Sequence, residues 1–376
     1  MKKTGIICEY NPFHNGHMKQ LQGLESTVCL MSGNYVQRGE PAILDKYVRA
    51  KAAVLCGASL VLELPLTYVL RSAEGFAAGG VDVFNRLGCM DALCFGCETE
   101  TPEKIWNTAQ LLLKPEFSPV LKEELSKGVS FPAARQKALE TMGADASVLE
   151  KPNDILAVEY CKALLRSKSG MKPVMIHREG NYHSSAEKDN PSAASLRTMD
   201  NWEGYVPEPA WEVFKTASRC DIIKGERAWL ARLRAMREDE FEALPFGSEG
   251  LWRKVMAACR EEGSLEAVIE ASKSKRYTRT RIMRMLLCAY LGITDRQLQQ
   301  PAPYVRVLAF DRKGQEILHE TRRSGQIPVI HAGEDGPDPE YRELERRASD
   351  LYGLFQTGKV SPGGREKAAR VFRKNS

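Results

Sequence analysis

Five short apolar runs punctuate the first half of the chain: "TGIICEY" (4–10), "STVCLMSG" (26–33), "SLVLELP" (59–65), "DALCFGCE" (91–98) and "PVMIHREG" (173–180). Each is bounded by turn residues, which predicts strands buried on both faces. Between them the apolar spacing becomes helical. "DKYVRAKAAVLCGA" opens on Asp45, a candidate N-cap, and stops at Gly57. "TPEKIWNTAQLLL" has Thr101 as its cap, Pro102 in the first turn and Glu103 behind it. "KPNDILAVEYCKALL" repeats that grammar. Strands alternating with helices predict an α/β fold with a doubly wound, parallel, five-stranded Rossmann-like sheet.

The pattern changes near Tyr205, where "YVPEPAWEVF" carries two prolines. Charge-laced helical segments follow at 226–242, 248–261, 264–272 and 278–291. "YVRVLAF" and "QEILHE" read as a strand pair around a turn at Asp311–Gly314, and "DPEYRELERRASDLYGLF" reads as a helix. The basic tail "SPGGREKAARVFRKNS" is predicted to fray. The reading divides the chain into residues 1–203, the sheet domain, and residues 204–376, a mainly helical domain with a small β element. There is no internal repeat and no low-complexity tract.

Composition narrows the class. The 376 residues suit two domains, and 43% hydrophobic with 27% charged residues is ordinary for a globular protein. No apolar run approaches the ~20 residues of a membrane span. "MKKTGIICEYNPF" is too short an apolar run for a signal peptide and is broken by Glu9 and Asn11. It reads as a first strand, and a cytoplasmic location is expected. Of the ten cysteines, Cys8, Cys29, Cys56, Cys94, Cys161 and Cys288 lie inside apolar segments and read as small buried hydrophobes. "CFGC" (Cys94–Cys97) is a lone CxxC without further ligands at zinc spacing, so no metal site is expected. Net charge is +5, a mild excess whose distribution matters more than its size.

The loop after the first strand carries the chemistry. In an open parallel sheet, ligands bind beyond the carboxyl ends of the strands. "NPFHNGH" (11–17) occupies that place, and "GHMKQLQGL" should begin the next helix. Gly16 would let a ligand approach the backbone, and N–H groups open at the helix start would favour an anion. His14 and His17 can donate to phosphate oxygens there. A helical zinc pair usually sits at i, i+4, whereas these histidines are three apart around a glycine. The pattern therefore points to phosphate rather than metal. The plain alternative is that Asn11, Pro12 and Gly16 only shape a turn.

"HNGH" is an HxGH signature of the nucleotidyltransferase superfamily, which includes class I aminoacyl-tRNA synthetases and small adenylyltransferases. "EYNPFHNGH", "MSGNYVQRGEPAI", "LELP", "PNDILAVEY" and "SAASLR", in this order, resemble the bacterial tRNA(Met) cytidine acetate ligase family. "RYTRTRIMRMLL" and "ASDLYGLF" extend the resemblance, more weakly, into the second half. It implies a nucleotidyltransferase sheet and an enzyme that activates acetate with ATP, accompanied by Mg2+, and releases pyrophosphate. The acetyl group would then pass to N4 of the wobble cytidine in the anticodon loop of elongator tRNA(Met). Neither a membrane nor DNA is among the implied partners.

The resemblance also implies site residues. His14 and His17 would be catalytic, stabilising charge on the phosphates. The nucleotide loop would comprise Ile7, Cys8, Glu9, Tyr10, Asn11, Pro12, Phe13, His14, Asn15, Gly16, His17, Met18, Lys19 and Gln20. Gly96, at a strand end, would leave room for adenine or ribose, or would only permit a turn. Asn153 would touch the nucleotide, or cap its helix. His177 and Arg178 end the fifth strand, and Arg178 is the better fork for oxygens. Ser195 and Arg197 stand where the superfamily places a serine-rich phosphate loop; Ser192 or Ser195 could instead cap a helix. Gln37, Arg38 and Glu40 would help build the acyl or tRNA side, unless they form an ordinary surface loop.

For RNA, "KSKRYTRTRIMRMLL" offers Lys273, Lys275, Arg276, Arg279, Arg281 and Arg284, with Tyr277 interleaved. Basic groups neutralise phosphates and aromatics stack on unpaired bases. A helix over 278–291 would turn Ile282, Met285 and Leu286 inward and leave Arg279 and Arg284 outward. A solvated helix start is the bland reading. Arg219, Lys224, Arg227, Arg232 and Arg234 form a second basic group, diluted by Glu226, Glu238 and Glu240. The chain looks shorter than its family near 20–26 and 198–204, beside the nucleotide loop. Two other functions use parts of the same pattern: a small-molecule adenylyltransferase, and a non-catalytic RNA-binding protein with a relic pocket.

Overall fold

The computed structural model describes residues 1–177 and 191–374. In chain order the first strands are β1 (Lys3–Cys8), β2 (Ser26–Ser32), the short hairpin β3 (Tyr35–Val36) and β4 (Glu40–Pro41), and β5 (Leu60–Leu64). β6 (Ala92–Cys97) and β7 (Lys172–His177) follow. The five predicted strands lie side by side in the order β5-β2-β1-β6-β7, all parallel. The chain winds outward from β1 through β2 to β5, then returns to the other side with β6. The switch point is therefore between β1 and β6, directly below the HxGH loop.

Alternation along the strands feeds two hydrophobic layers. Ile7, Leu30, Leu62 and Leu93 pack with Phe76, Val81 and Phe84 of the helix Ala73–Leu87. Ile6, Cys29, Val61 and Cys94 pack with Ala50 and Ala53 of the helix Lys46–Leu55, and with Phe214. β2 and β5 are buried throughout, as their unbroken apolar runs require.

The sheet does not stop at residue 203. β8 (Val305–Phe310) pairs antiparallel with β5, and both β9 (Val329–His331) and β10 (Phe372–Arg373) pair parallel with β8. The sheet then has eight strands. "YVRVLAF" is the predicted strand, but "QEILHE" lies in a helix, Arg312–Ser324. Asp311 caps that helix by accepting from the Gly314 N–H at 2.8 Å. Gly314, Ile317, Leu318 and Thr321 are its buried positions, a helical spacing that two-residue alternation cannot match.

The tail is not frayed. Phe372–Arg373 covers the β8 edge, and Glu366 is buried. Lys46 Nζ lies 2.8 Å from Glu366 and 2.7 Å from Glu63. Arg306 lies 3.0 Å from Glu366 and 2.8 Å from Glu345. This buried network joins the tail to the first half of the chain. Four second-half helices, Ile222–Ala235, Leu251–Glu261, Leu265–Ser272 and Arg279–Leu291, pack together, and the Trp229 indole N–H donates to the Leu286 carbonyl at 3.0 Å. No helix among the described residues is long and apolar enough to cross a membrane.

Candidate active site

β1 ends at Cys8, and Tyr10 takes φ 46°, a left-handed conformation that turns the chain sharply. Tyr10 and Phe13 are buried edge-on with ring centroids 4.8 Å apart, and they anchor the loop to the core. Asn11 Oδ1 accepts from the Ile43 N–H at 2.8 Å, and the following bond to Pro12 is cis. Helix α1 (Asn15–Leu21) then begins with His14 as its N-cap.

The two histidines cap the helix reciprocally. His14 Nδ1 accepts from the Gly16 N–H at 3.0 Å, and His17 Nδ1 accepts from the His14 N–H at 3.3 Å. Their ring centroids are 3.9 Å apart. Because both Nδ1 atoms accept, the proton of each neutral ring sits on Nε2, and Nε2–H is that ring's donor. A Cβ on Gly16 would come within 2.8 Å of His14 Cε1, so glycine is needed for the capping ring itself.

This arrangement corrects one expectation. The N–H groups of the first turn are not open: Gly16 donates to His14 Nδ1, His17 to the His14 carbonyl at 2.9 Å, and Asn15 to the Tyr205 carbonyl at 3.4 Å. The backbone donors of this turn are thus already engaged within the protein.

The other loop residues serve it in different ways. Ile7 is buried in the sheet, and the Cys8 thiol, pushed well up by burial, faces the Leu30 carbonyl at 3.9 Å. Glu9 accepts from the Gln37 N–H at 2.7 Å; burial pushes its carboxyl up, against the pull of Arg197, Arg49 and Arg38. The Asn15 amide donates to the Gly204 carbonyl at 3.2 Å. Met18 is half-buried, Lys19 is exposed, and the Gln20 amide lies 3.9 Å from Cys94 Sγ. Arg197 donates to the Asn11 carbonyl at 2.9 Å, so it braces the loop from outside.

The rest of the rim is formed by neighbouring strand ends. Gly96 lies in β6 opposite Ile176, and His177 is the exposed end of β7. Arg178 lies outside the described residues. Asn153 does not cap its helix; Lys151 holds that position, and the Asn153 amide donates to Glu98 Oε1 at 2.7 Å. Ser192 is the cap of the helix Ala193–Arg197, accepting from the Ser195 N–H at 3.2 Å. Ser195 is exposed in that first turn. In "CFGC", Cys94 and Cys97 belong to opposite layers of the sheet, and burial pushes the Cys94 thiol up to about 11. Two side chains on opposite faces cannot share one ion.

The β3–β4 hairpin spans the two halves of the site. Gln37 is tied to Glu9, while Gly39, at φ 85°, packs on the helix Arg279–Leu291. A Cβ there would fall 2.7 Å from the Arg284 backbone nitrogen. Arg38 is exposed at the hairpin tip, and Glu40 is half-buried.

The basic segment differs from its prediction. Arg284 is not outward: it is buried, with its guanidinium 5.1 Å from the Phe246 ring centre, and burial pushes it down to about 10. Arg279 makes two 2.6 Å bonds to Glu266, and Lys273 lies 3.2 Å from Glu270. Arg281 donates to the Phe246 carbonyl at 3.0 Å and to Ser248 at 2.9 Å. Lys275 and Arg276 are exposed and lack a side-chain partner among the described residues.

Sequence reasoning missed three supports. Asp154, wholly buried, accepts from the Glu98 N–H at 2.6 Å and from the Thr99 hydroxyl at 2.6 Å, fixing the loop after β6. Its position after Asn153 at a helix start was the available signal. Arg49 and Lys46 are buried cations in the helix Lys46–Leu55, which the sequence reading marked only by its cap and its stop. In the Lys46 network, burial pushes Glu63 up to about 7; for Glu366 burial is outweighed by Lys46 and Arg306, which hold it down to about 2. Nothing in a linear pattern marks partners some 300 residues apart.

The chain matches the HIGH Nucleotidyl Transferase family over residues 1–367. It is 35% identical to the tRNA(Met) cytidine acetate ligase of Acetivibrio thermocellus, over 94% of this chain and 94% of that protein. It is 36% identical to the enzyme of that name in Clostridium tetani, over 96% and 97%. The crystal structure of Thermotoga maritima TmcAL bound with alpha-thio ATP superimposes with a TM-score of 0.88 at 30% identity, covering 100% of both chains.

Proposed function

Because this chain belongs to the tRNA(Met) cytidine acetate ligase family of HIGH nucleotidyl transferases, we propose that it makes acetyl-adenylate from acetate and ATP and acetylates N4 of the wobble cytidine of elongator tRNA(Met). The observation that carries this reading is the stacked, reciprocally capped His14–His17 pair at the switch point of the sheet.

In the first step an acetate oxygen bonds to the α-phosphorus as the bond to pyrophosphate breaks. Phosphoryl chemistry of this kind depends on positioning and on donors aimed at developing charge. His14 and His17 supply Nε2–H donors from rings already locked by their Nδ1 atoms. Gly96, Asn153, His177, Arg178, Ser195 and Arg197 complete the nucleotide rim in this reading. Arg197 does so while bracing the loop. Mg2+ would arrive on the nucleotide's phosphate oxygens, since imidazoles are poor ligands for a hard cation. Among the described residues no group of three or more His, Cys, Asp or Glu is placed to hold a metal.

In the second step the cytidine N4 attacks the acetyl carbon, the bond to AMP breaks, and the amine loses a proton. A wobble base is unpaired in the anticodon loop and can be splayed into a pocket. Residues 1–203 would hold the nucleotide and residues 204–376 the tRNA, with the β3–β4 hairpin between them. The enzyme would act in the cytoplasm, where its tRNA substrate is.

The test is one reaction containing the protein, ATP, labelled acetate and total bacterial tRNA, with nucleosides analysed by mass spectrometry. Labelled N4-acetylcytidine is expected. Acetate-dependent pyrophosphate release without it would leave the activation step standing and refute the acceptor. Absence of both would refute the reading and send the search to phosphorylated metabolites.

A further inference from the structure

We propose that Arg49 is a positioning residue for the HxGH loop, acting through the backbone of Glu9 and Gly33. The proposal rests on the acetate-activation reading above. Arg49 belongs to helix α2 (Lys46–Leu55) and is completely buried. Its Nε donates to the Leu44 carbonyl at 2.8 Å. Nη1 donates to the carbonyls of Glu9 and of Ser32, the latter at 3.1 Å, and Nη2 donates to the Gly33 carbonyl. Its side-chain acceptors among the described residues are all backbone carbonyls, and burial pushes the guanidinium down against the opposing pull of Tyr352, Asp45 and Glu9.

A buried cation held by carbonyls, with Asp45 and Glu9 acting on it only from beyond ion-pair distance, is a poor way to stabilise a fold, and an apolar side chain would fill the space better. Its location gives the reason it is kept. β1 ends at Cys8 and β2 at Ser32, so Glu9 and Gly33 lie just past the paired registers. Here both strands leave the sheet at its carboxyl rim, and β1 runs on into the HxGH loop. The planar guanidinium reaches both strand ends and the loop before α2 at once, which a single ammonium cannot do. One residue beyond Glu9, Tyr10 adopts its left-handed turn, and the next residues lead straight to His14. A shift of the Glu9 carbonyl is therefore passed to the capping box. Arg197, on the Asn11 carbonyl, grips the same loop two residues later.

The experiment compares the full-length wild type with Arg49→Lys and with Val268→Ala, a buried position in the helix Leu265–Ser272 that serves as a stability control. Acetate-dependent ATP–pyrophosphate exchange is measured, with the imidazole nitrogen NMR signals of His14 and His17. Misplacing a catalytic group by ~1 Å can cost ~10²-fold in rate. Arg49→Lys is expected to lower kcat by roughly 30–100-fold with the KM for ATP within about 3-fold. It should also shift both histidine signals, while Val268→Ala does neither at a similar loss of Tm. Equal loss of kcat in both variants would make Arg49 merely structural and overturn the proposal. Unshifted histidine signals overturn it whatever the exchange assay returns. If the wild type shows no acetate-dependent exchange, the functional reading fails, and the NMR comparison still decides on Arg49. Should Arg49→Lys not fold, Arg49→Gln takes its place under the same criteria. Failure of both to fold makes Arg49 a requirement of the fold and refutes a role specific to the loop.

Discussion

The HxGH loop and the basic segment at 273–284 were both legible as polar patches in a line of sequence, yet the fold treats them differently. In the loop every bond points toward one arrangement. His14 and His17 cap each other, Tyr10 and Phe13 anchor below, and Asn11 and Arg197 clamp the sides. In the basic segment most of the charge is already committed within the protein. Arg279 is held by Glu266, Arg281 by the Phe246 loop, and Arg284 is buried. Donors that must meet a transition state are preorganised, since every degree of freedom lost beforehand lowers the barrier. Charges that attract a polyanion need only be exposed. A count of six basic residues therefore overstates the charge this segment leaves open to solvent.

Four experiments would sharpen or break that contrast. The largest effect is expected from His17→Ala, which should slow acetate-dependent pyrophosphate release by ~10²–10³-fold. Its tRNA affinity, read by filter binding, should stay within about 2-fold if the RNA contacts lie in the second half of the chain, as proposed. Exchange above a third of wild type would take His17 out of the chemistry. Next comes Gly39→Ala, which forces a side chain into a left-handed position against the Arg284 backbone. Acetyl transfer to tRNA should fall on the order of 10-fold while ATP–pyrophosphate exchange stays within about 3-fold. Equal loss in both assays would mean that the hairpin supports the nucleotide rim alone.

The third experiment reads salt dependence. Lys275→Ala with Arg276→Ala should lower the slope of log K against log salt by roughly 1.4–1.8, since each phosphate contact contributes about 0.7–0.9. Arg279→Ala should change it by less than about 0.5, because Glu266 already neutralises that charge. A larger change from Arg279 would show that its ion pair opens to RNA.

The smallest effect concerns the buried network. Glu63, at about 7, lies above its ordinary 4.5, so the folded state keeps a proton that the unfolded chain releases. The stability from this group is full below pH 4.5 and is lost as pH rises to about 7. Glu366, at about 2, acts in the opposite sense: its contribution is present above pH 4.5 and is lost as pH falls to about 2. Melting curves of wild type should therefore fall from pH 5 to pH 8 by a few degrees more than those of Glu63→Gln. Parallel curves for the two proteins would place the titration elsewhere.

What the sequence settled by itself was local. Buried parallel strands read as unbroken apolar runs, and each of the five runs became a strand in the parallel sheet. The loop after the first run fell where such sheets bind ligands, in the crevice beyond the carboxyl ends of the strands. "QEILHE" was misread because its amphipathic spacing is short and follows a turn-like Asp311–Gly314 that is in fact a helix cap. The open N–H groups expected at the helix start were lost to a histidine capping box, which spacing alone does not distinguish from a ligand pair. Everything that depends on distant partners was decided by tertiary structure. The tail became ordered because β8 offered an edge and Lys46 and Arg306 needed carboxylates. Arg284 turned inward because Phe246 lies over its helix. Arg49 is buried where the ends of β1 and β2 present carbonyls to it. A side chain's type can be read in the chain, but whether its charge meets water, a ligand or another residue is fixed only when segments far apart in sequence come together.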